Sequence, residues 1–451
     1  MDRIDEYFKL SARQTSLAQE FRAGTATFLT LSYLLLVNPQ IMVQAGVSHD
    51  DAVFSTALSA ATACFIVGLF GNLPFGCAPG LGLSAYLTFG LVQANLCTLA
   101  EALTACWWSG VFVFLVAISG IARLLMKIVP EAIKLAIVVG MGLLIAMIGM
   151  VSVGLIEANP KTLVELGDVA NDGSLQLTLA GILLVASLLY HDVKGGILIG
   201  IIVLTVTVWT LDGSWPTRIF DVPDYHVKPY WEPMVVFDWS KAAVLYPAIC
   251  SFVLICVFDI SGVMFGLATL AGLMQDDGEI PGSLWAFLAS AGGTLVAAWT
   301  GSTPIIVCVE CASGVCEGGR TGVTAIVVGA YFVLSIFLAP LFSTVPDVAT
   351  APVLVLVGVL MMESSASISW KNMNDALPAF LTLILMPLTY SITNGMIMGL
   401  LASAGFYFTT GKFFLDAKAI YQSITVRSHE ATDEEALVTN QDGSSYGSTS
   451  A

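Results

Sequence analysis

Apolar runs long enough to cross a bilayer recur along this chain from about residue 22 to about residue 412. The hydrocarbon core of a bilayer is about 30 Å thick, so a helix needs about 20 apolar residues to cross it. The 451 residues are 57% hydrophobic and only 11% charged, with a mean hydropathy of +0.85. A soluble domain of this size could not bury so much apolar surface. The sequence therefore predicts an all-α, polytopic integral membrane protein embedded in a lipid bilayer.

The apolar runs predict about fourteen membrane spans, seven in each half of the chain. The third and tenth spans are short, and Gly or Pro residues interrupt both of them. The first seven are expected near 22–44, 52–71, 79–95, 103–125, 131–153, 175–190 and 195–211. The other seven are expected near 241–273, 283–300, 305–316, 323–343, 350–363, 375–391 and 393–411.

The Lys and Arg residues between the spans predict the orientation, because cytoplasmic connections carry an excess of them. With the N-terminus inside, thirteen of the 17 Lys and Arg fall in cytoplasmic segments. The outer segments hold four, which are Lys161, Arg218, Lys228 and Lys241. Both termini are therefore expected in the cytoplasm, with residues 212–240 outside, and the plasma membrane is the expected location.

Three regions follow from this pattern. Residues 1–21 form a cytoplasmic N-terminal segment, and residues 22–412 form the transmembrane domain. Residues 413–451 form a cytoplasmic tail, which is acidic and without Lys or Arg after about residue 428, a composition typical of disorder.

The basic residues form no patch, which argues against nucleic acid as a partner. Cys308 and Cys311 form a C-x-x-C pair, interpreted as two small buried residues, and the sequence predicts neither a metal nor a cofactor.

A faint internal repeat relates the two halves. GNLP at 71–74 and GSTP at 301–304 stand 230 residues apart, and each follows two spans of its own half. Because each half has an odd number of spans, the second half enters the membrane from the opposite side. This predicts two inverted seven-span repeats, at about 22–211 and 241–411, which is a common plan among transporters.

Pro residues at the start of both short spans predict irregular backbone within the membrane. Pro74, Pro79 and Pro304 remove backbone donors and disfavour helix in the residue before them. Lipid cannot satisfy such backbone, so it must face protein or a water-filled cavity. Each half-helix that follows then directs free N–H groups into that cavity. The candidate binding segments are therefore residues 78–84 and 307–310, which include Gly80, Leu81, Ser84 and Val309.

Two acidic residues lie inside apolar spans, where a carboxylate costs about 2.5–3.5 kcal/mol on insertion scales. Glu310 stands where the second half-helix should begin, and Asp259 stands within the eighth span between Phe258 and Ile260. Each acid has a structural alternative. Glu310 could merely favour its own helix N-terminus, and Asp259 could pair with a hydroxyl or a Lys. Facing one cavity, both could instead accept N–H groups or carry a proton, which suits a flat heterocycle such as a nucleobase.

Five stretches in order along the chain resemble one family. RAGTATFLTLSYLLLVNPQIM, PFGCAPGLGLSAYLTF, FDISGVMFGLA, ECASGVCEGGRTGVTAIVVGAYFVLSIFLAPLF and MPLTYSITNGMIMG are similar to the purine permease (AzgA-like) branch of the xanthine/uracil permease family. The resemblance extends from about residue 21 to residue 411. In one motif the chain departs from the family, which usually has Asn in APGxGLNAY where this chain has Ser84.

The resemblance implies fourteen spans in two inverted repeats, a core domain and a gate domain, and proton-coupled uptake of nucleobases. It also implies a short strand before each half-helix and assigns the substrate carboxylates to Asp259 and Glu310. Glu310 is then expected to accept two N–H groups of the base, with Asp259 as a second acceptor and the better candidate for the coupling proton. Tyr33, in the first span, is expected as a wall or stacking residue. Spans 1–4 and 8–11 should form the core, and the other six should form the gate and any homodimer contact.

The function predicted is secondary active transport of purine bases of the adenine, guanine and hypoxanthine class. Two alternatives keep the fold: a transporter of other nucleobases (xanthine or uracil), or a transporter of inorganic anions, against which Glu310 argues by its charge. A third alternative is a membrane enzyme that uses Asp259 and Glu310 as an acid/base pair. Such an enzyme usually needs a metal, nucleophile or cofactor motif, and the sequence shows none.

Overall fold

A computed structural model describes residues 2–120, 130–193, 195–216, 218, 220, 221, 225, 230, 242–275 and 280–410. The predicted tail at 413–451, and most of the predicted outer loop at 212–240, lie outside these described residues. The description below therefore concerns the membrane spans and their shorter connections.

The first half contains seven spans, numbered here in chain order. They are span 1 (Leu17–Leu31 continued by Leu34–Gln44), span 2 (His49–Ile66 and the π-helical turn Val67–Gly71), span 3 (strand β1, Cys77–Pro79, then Leu81–Ala85 and the π-helical Tyr86–Gln93), span 4 (Leu99–Ser119), span 5 (Glu131–Ser152), span 6 (Gly173–Tyr190) and span 7 (Gly196–Asp212). A short helix, Asp2–Phe8, precedes them, and the hairpin of β2 (Ile156–Asn159) and β3 (Leu163–Leu166) joins spans 5 and 6.

The second half repeats this order. It contains span 8 (Ala242–Leu270), span 9 (Ser283–Thr300), span 10 (strand β4, Ile305–Val307, then the 3-10 turn Val309–Cys311 and the helix Ala312–Cys316), span 11 (Gly322–Phe342), span 12 (Asp347–Ser367), span 13 (Met373–Thr389) and span 14 (Ile392–Thr409). Within the described residues, nine helices are long and apolar enough to cross a membrane. The predicted fold class is confirmed.

Span 1 begins at Leu17, whereas the sequence predicted a start near residue 22. The Ser16 side chain accepts a hydrogen bond from the backbone N–H of Gln19, which is the usual way a Ser caps a helix start. The predicted N-terminal segment therefore ends inside a helix, and Glu20 becomes part of the buried packing.

The spans pack in two groups. Spans 1, 2, 4, 8, 9 and 11 pack on one another and surround the short spans 3 and 10, whereas spans 5, 6, 7, 12, 13 and 14 pack mainly among themselves. These groups are the predicted core and gate. Each group takes spans from both halves of the chain, as an inverted repeat requires.

The two short strands meet inside the core. β1 and β4 pair antiparallel, with Cys77 opposite Val307, Ala78 opposite Ile306 and Pro79 opposite Ile305. Cys77 and Val307 are separated by 230 residues, the same offset that relates GNLP to GSTP. The pseudo-twofold axis of the repeats therefore passes this residue pair, and the two half-helices leave it in opposite directions.

Candidate functional site

The paired strands fix where the two half-helices begin. The N–H of Gly80 donates to the carbonyl of Pro304 at 3.2 Å, and the N–H of Cys308 donates to the carbonyl of Gly76 at 3.1 Å. Pro79 and Pro304 interrupt helical backbone at this level, which is why the chain runs extended before each helix. Backbone polar groups that lipid could not satisfy are thus paired across the two repeats.

Glu310 lies in the first turn after β4, and the first span holds it in place. The Tyr33 hydroxyl donates to Oε1 of Glu310 at 2.7 Å. The carbonyl oxygen of Glu310 accepts from the hydroxyls of Ser313 at 2.9 Å and Thr30 at 3.3 Å. Among the side chains that the structure describes, Tyr33 alone donates to this carboxylate, which leaves it acceptor capacity for a ligand.

Tyr33 occupies the break between the two helices of span 1 and is 2% exposed. Sequence reasoning placed Tyr33 near the site as a wall or stacking residue. The structure instead directs its hydroxyl at the Glu310 carboxylate. This contact joins two residues 277 positions apart, so no local pattern could have revealed it.

Asp259 lies on span 8, which packs against β4, the turn Val309–Cys311 and the following half-helix. The helix that carries Asp259 and the turn that carries Glu310 are therefore neighbours. Asp259 is half-buried between the buried side chains of Phe258 and Ile260. Among the residues that the structure describes, none gives the Asp259 carboxylate a hydrogen bond, so its acceptor capacity is open to a ligand or a proton.

Three further candidate residues lie where the two half-helices begin: Gly80 and Leu81 in span 3, and Val309 in span 10. A Cβ on Gly80 would lie 3.0 Å from Leu83 Cδ1 and 3.1 Å from Ile306 Cδ1, so glycine permits the close approach of the strands. Leu81 is buried, whereas Val309 is 62% exposed. Val309 thus presents an open apolar side chain next to Glu310.

Ser84 is fully buried in a polar network rather than at an open surface. Its hydroxyl donates to Asn38 Oδ1 at 2.5 Å and lies 2.6 Å from the Thr303 hydroxyl. The Asn38 amide donates to Thr56 at 2.8 Å and to Ser302 at 3.2 Å. The network links spans 1, 2 and 3 to the segment before β4. Ser302 and Thr303 belong to the GSTP repeat, whose role in this network sequence reasoning missed.

Glu20 is a fully buried carboxylate that sequence reasoning did not single out. Its side chain accepts from the backbone N–H groups of Arg320, Thr321 and Thr324, and from the Thr324 hydroxyl at 2.6 Å. It therefore satisfies the free donors at the start of span 11. An acidic residue in the first turn of an apolar helix is the signal that could have identified it.

The C-x-x-C pair lies against the strands. Cys308 and Cys311 are buried, and the Cys311 sulfur accepts from the N–H of Gly76 at 3.0 Å. Within the described part of the chain, no group of three or more His, Cys, Asp or Glu side chains is placed to hold a metal ion.

Known proteins resemble this chain in sequence and in fold. A family model described as a permease family, that of the xanthine/uracil permeases, matches residues 18–398. The adenine permease AdeP of Escherichia coli is 34% identical over 411 residues, which cover 91% of each chain. The guanine/hypoxanthine permease PbuO of Bacillus subtilis is 35% identical over 403 residues, which cover 88% of this chain and 92% of the relative.

Among solved structures, the transmembrane domain of the cyanobacterial bicarbonate transporter BicA superposes with a TM-score of 0.60 at 16% identity. The match covers 86% of this chain and 97% of BicA's domain. Murine Slc26a9, an anion transporter in the inward-facing state, superposes with a TM-score of 0.61 at 12% identity.

Proposed function

The chain belongs to the xanthine/uracil permease family, and from this premise we propose that it transports purine nucleobases across a membrane. Membership in a permease family rules out the alternative of a membrane enzyme. Relatives named as adenine and guanine/hypoxanthine permeases support the purine class. The observation that carries the proposal is the Glu310 carboxylate, which the Tyr33 hydroxyl orients at the start of a half-helix.

Glu310 and Asp259 suit a neutral base with several N–H groups. A carboxylate accepts hydrogen bonds only, and purines offer ring and exocyclic N–H donors on one edge. Glu310 accepts from this edge, and Asp259, to which none of the described residues donates a hydrogen bond, provides the second acceptor. The fold is shared with a bicarbonate transporter, but a carboxylate at the half-helix start repels an inorganic anion.

Transport proceeds by alternating access, in which the core with spans 1–4 and 8–11 moves as a body against the gate. Asp259 binds the coupling proton, because a carboxyl removed from water can release and rebind one as its surroundings change. Both termini face the cytoplasm and the protein resides in the plasma membrane. The gate supplies the contact of any homodimer.

The test is uptake of labelled hypoxanthine into proteoliposomes, with unlabelled adenine, guanine, xanthine, uracil, bicarbonate and sulfate as competitors. Purines should compete and the two anions should not. Glu310→Ala should abolish uptake, because the N–H edge of the base then meets no acceptor. Glu363→Ala, which removes an exposed carboxylate at the end of span 12, should leave uptake unchanged. Inhibition of hypoxanthine uptake by bicarbonate or uracil alone, and not by purines, would contradict the proposal. An active Glu310→Ala variant would contradict it as well.

A further inference from the structure

A cavity that does not include Glu310 in its wall lies where spans 1, 3 and 5 end. It has a volume of about 360 Å³, and its wall includes Gln44, Phe89, Gln93, Ser152 and Tyr390. Spans 1, 3, 5 and 13 all run in the same direction, so their C-terminal ends share one side of the protein. That side is opposite the N-terminus, and it is the outer side in the proposed orientation. We call this cavity the vestibule.

The vestibule lies on the seam between core and gate. Gln44, Phe89 and Gln93 belong to core spans 1 and 3, whereas Ser152 belongs to gate span 5 and Tyr390 to the joint between gate spans 13 and 14. A rigid movement of the core against the gate changes the distance between these two walls. A ligand in the vestibule would therefore contact both moving bodies.

Direct contacts close the vestibule toward the central site. The ring centroids of Phe89 and Tyr390 lie 6.0 Å apart. The Thr393 hydroxyl donates to the Tyr86 hydroxyl at 2.6 Å. A Cβ on Gly90 would lie only 2.8 Å from the carbonyl oxygen of Tyr390, so span 3 approaches the gate backbone closely there. These contacts stand between the half-helix start at residue 81 and the vestibule at residue 93. The rise of a helix over that stretch is about 18 Å.

The vestibule wall has the chemistry of a site for a flat, uncharged ring. None of its lining residues is charged. The side-chain amide nitrogen of Gln93 lies 3.2 Å from the backbone carbonyl oxygen of Gln44 and 3.5 Å from the side-chain oxygen of Gln44. The described residues leave the Gln44 amide nitrogen and the Gln93 amide oxygen without partners. These two exposed side chains together offer one donor and one acceptor, the two kinds of group that the edge of a purine can bond.

Aromatic rings and size complete the match. Phe89 and Tyr390 offer faces on which a planar base can stack, and such stacking is tolerant of the kind of base. The volume falls in the usual range for small-molecule sites. The neutral lining gives no advantage to an inorganic anion.

We propose that the vestibule is an outer binding site for neutral purine bases, occupied before the contact between Phe89 and Tyr390 opens toward Glu310. This inference rests on the proposed function and adds a first point of recognition to it. A base held by Gln44 and Gln93 reaches the seam already oriented, so the vestibule selects planar molecules with a donor and an acceptor on one edge.

The experiment measures protection of a cysteine in a protein whose central site has been removed. Ala94→Cys, which lines the cavity but takes no part in holding the base, is introduced into the Glu310→Ala background, and proteoliposomes are treated from each side with a membrane-impermeant thiol reagent. Hypoxanthine at millimolar concentration should slow labelling from the vestibule side at least about threefold. Sulfate at the same concentration should not. Ser152→Cys, on the gate wall of the cavity, serves as the second variant should Ala94→Cys fail to fold.

Leu96→Cys is the matched control, because Leu96 is half exposed on the same connection and does not line the cavity. Its labelling should be unaffected by hypoxanthine, and the chain without an added cysteine corrects for the exposed native thiols Cys250 and Cys316. Unchanged labelling of Ala94→Cys, or equal slowing at Leu96→Cys, overturns the vestibule site. Hypoxanthine uptake by the unsubstituted protein is measured in parallel. Uptake without protection contradicts only the vestibule, whereas absence of uptake contradicts the proposed function itself.

Discussion

Replacing Tyr33 by Phe isolates the hydrogen bond by which Tyr33 orients the Glu310 carboxylate. The substitution removes only the hydroxyl that donates to Oε1 at 2.7 Å. The ring stays, and because Tyr33 is 2% exposed, the surrounding packing keeps it in place. The change therefore acts on the orientation of the carboxylate and hardly on the shape of the core.

The expected magnitude follows from the contact. A hydrogen bond to a charged group contributes about 1.5–3 kcal/mol. Glu310 is only half-buried, so water replaces part of the lost bond and the lower end of that range applies. Since about 1.4 kcal/mol corresponds to a factor of ten in affinity, the Kd for purine should rise about tenfold. The base must then itself immobilise a carboxylate that Tyr33 previously held.

Isothermal titration of the purified protein with hypoxanthine measures this change, and the melting temperature without ligand checks the fold. Tyr331→Phe is the matched control, because it removes a hydroxyl that lies 3.2 Å from Thr25, elsewhere in the core. The control should change the Kd by less than about twofold. An unchanged or tighter Kd in Tyr33→Phe, at a normal melting temperature, would refute the view that Tyr33 positions Glu310 for binding.

Three further predictions concern coupling, stability and packing. Asp259→Asn should keep the exchange of bases across the membrane and lose accumulation driven by a pH gradient; pH-dependent accumulation at the unsubstituted level would remove the proton role. Glu20→Ala should lower stability by about 2 kcal/mol or more, because four buried donors lose a charged acceptor, whereas the exposed Glu6→Ala should leave the melting temperature unchanged. Gly314→Ala should abolish transport, since its Cβ would overlap the Thr27 hydroxyl; Gly405→Ala has nothing within 4 Å and should be active.

The architecture could be predicted from the sequence because the bilayer constrains each span through its own length and hydropathy. Length and hydropathy place each span, and the break at Pro79 and Pro304 follows from the missing N–H and the fixed φ of proline. The repeat offset of 230 residues relates Pro74 to Pro304, so the two breaks are expected at equivalent depths. The predicted strand before each half-helix was found in β1 and β4.

The side-chain partners could not be predicted in the same way. The bond between Tyr33 and Glu310 and the bonds of Glu20 to Thr324 join residues about 300 positions apart. Such pairs depend on which faces of different spans meet, and a fully buried span has no amphipathic period to indicate its faces. Ser84 illustrates the limit of a motif, because its neighbours in sequence suggest a ligand contact while its neighbours in space form a closed network.

The pairing of Cys77 with Val307 on the pseudo-twofold axis has a consequence for how a ligand is oriented. The same offset that relates these residues carries Glu310 onto Gly80, so a symmetric scaffold is chemically unequal at its centre. One half-helix start bears a carboxylate, whereas the other, at Gly80 and Leu81, bears no polar side chain, and its Gly80 N–H is already bonded to the carbonyl of Pro304. A ligand at this centre would thus meet a hydrogen-bond acceptor on one side and uncharged, apolar residues on the other. Because a purine carries its N–H groups on one edge, we expect the difference at this single position to decide which way the base faces.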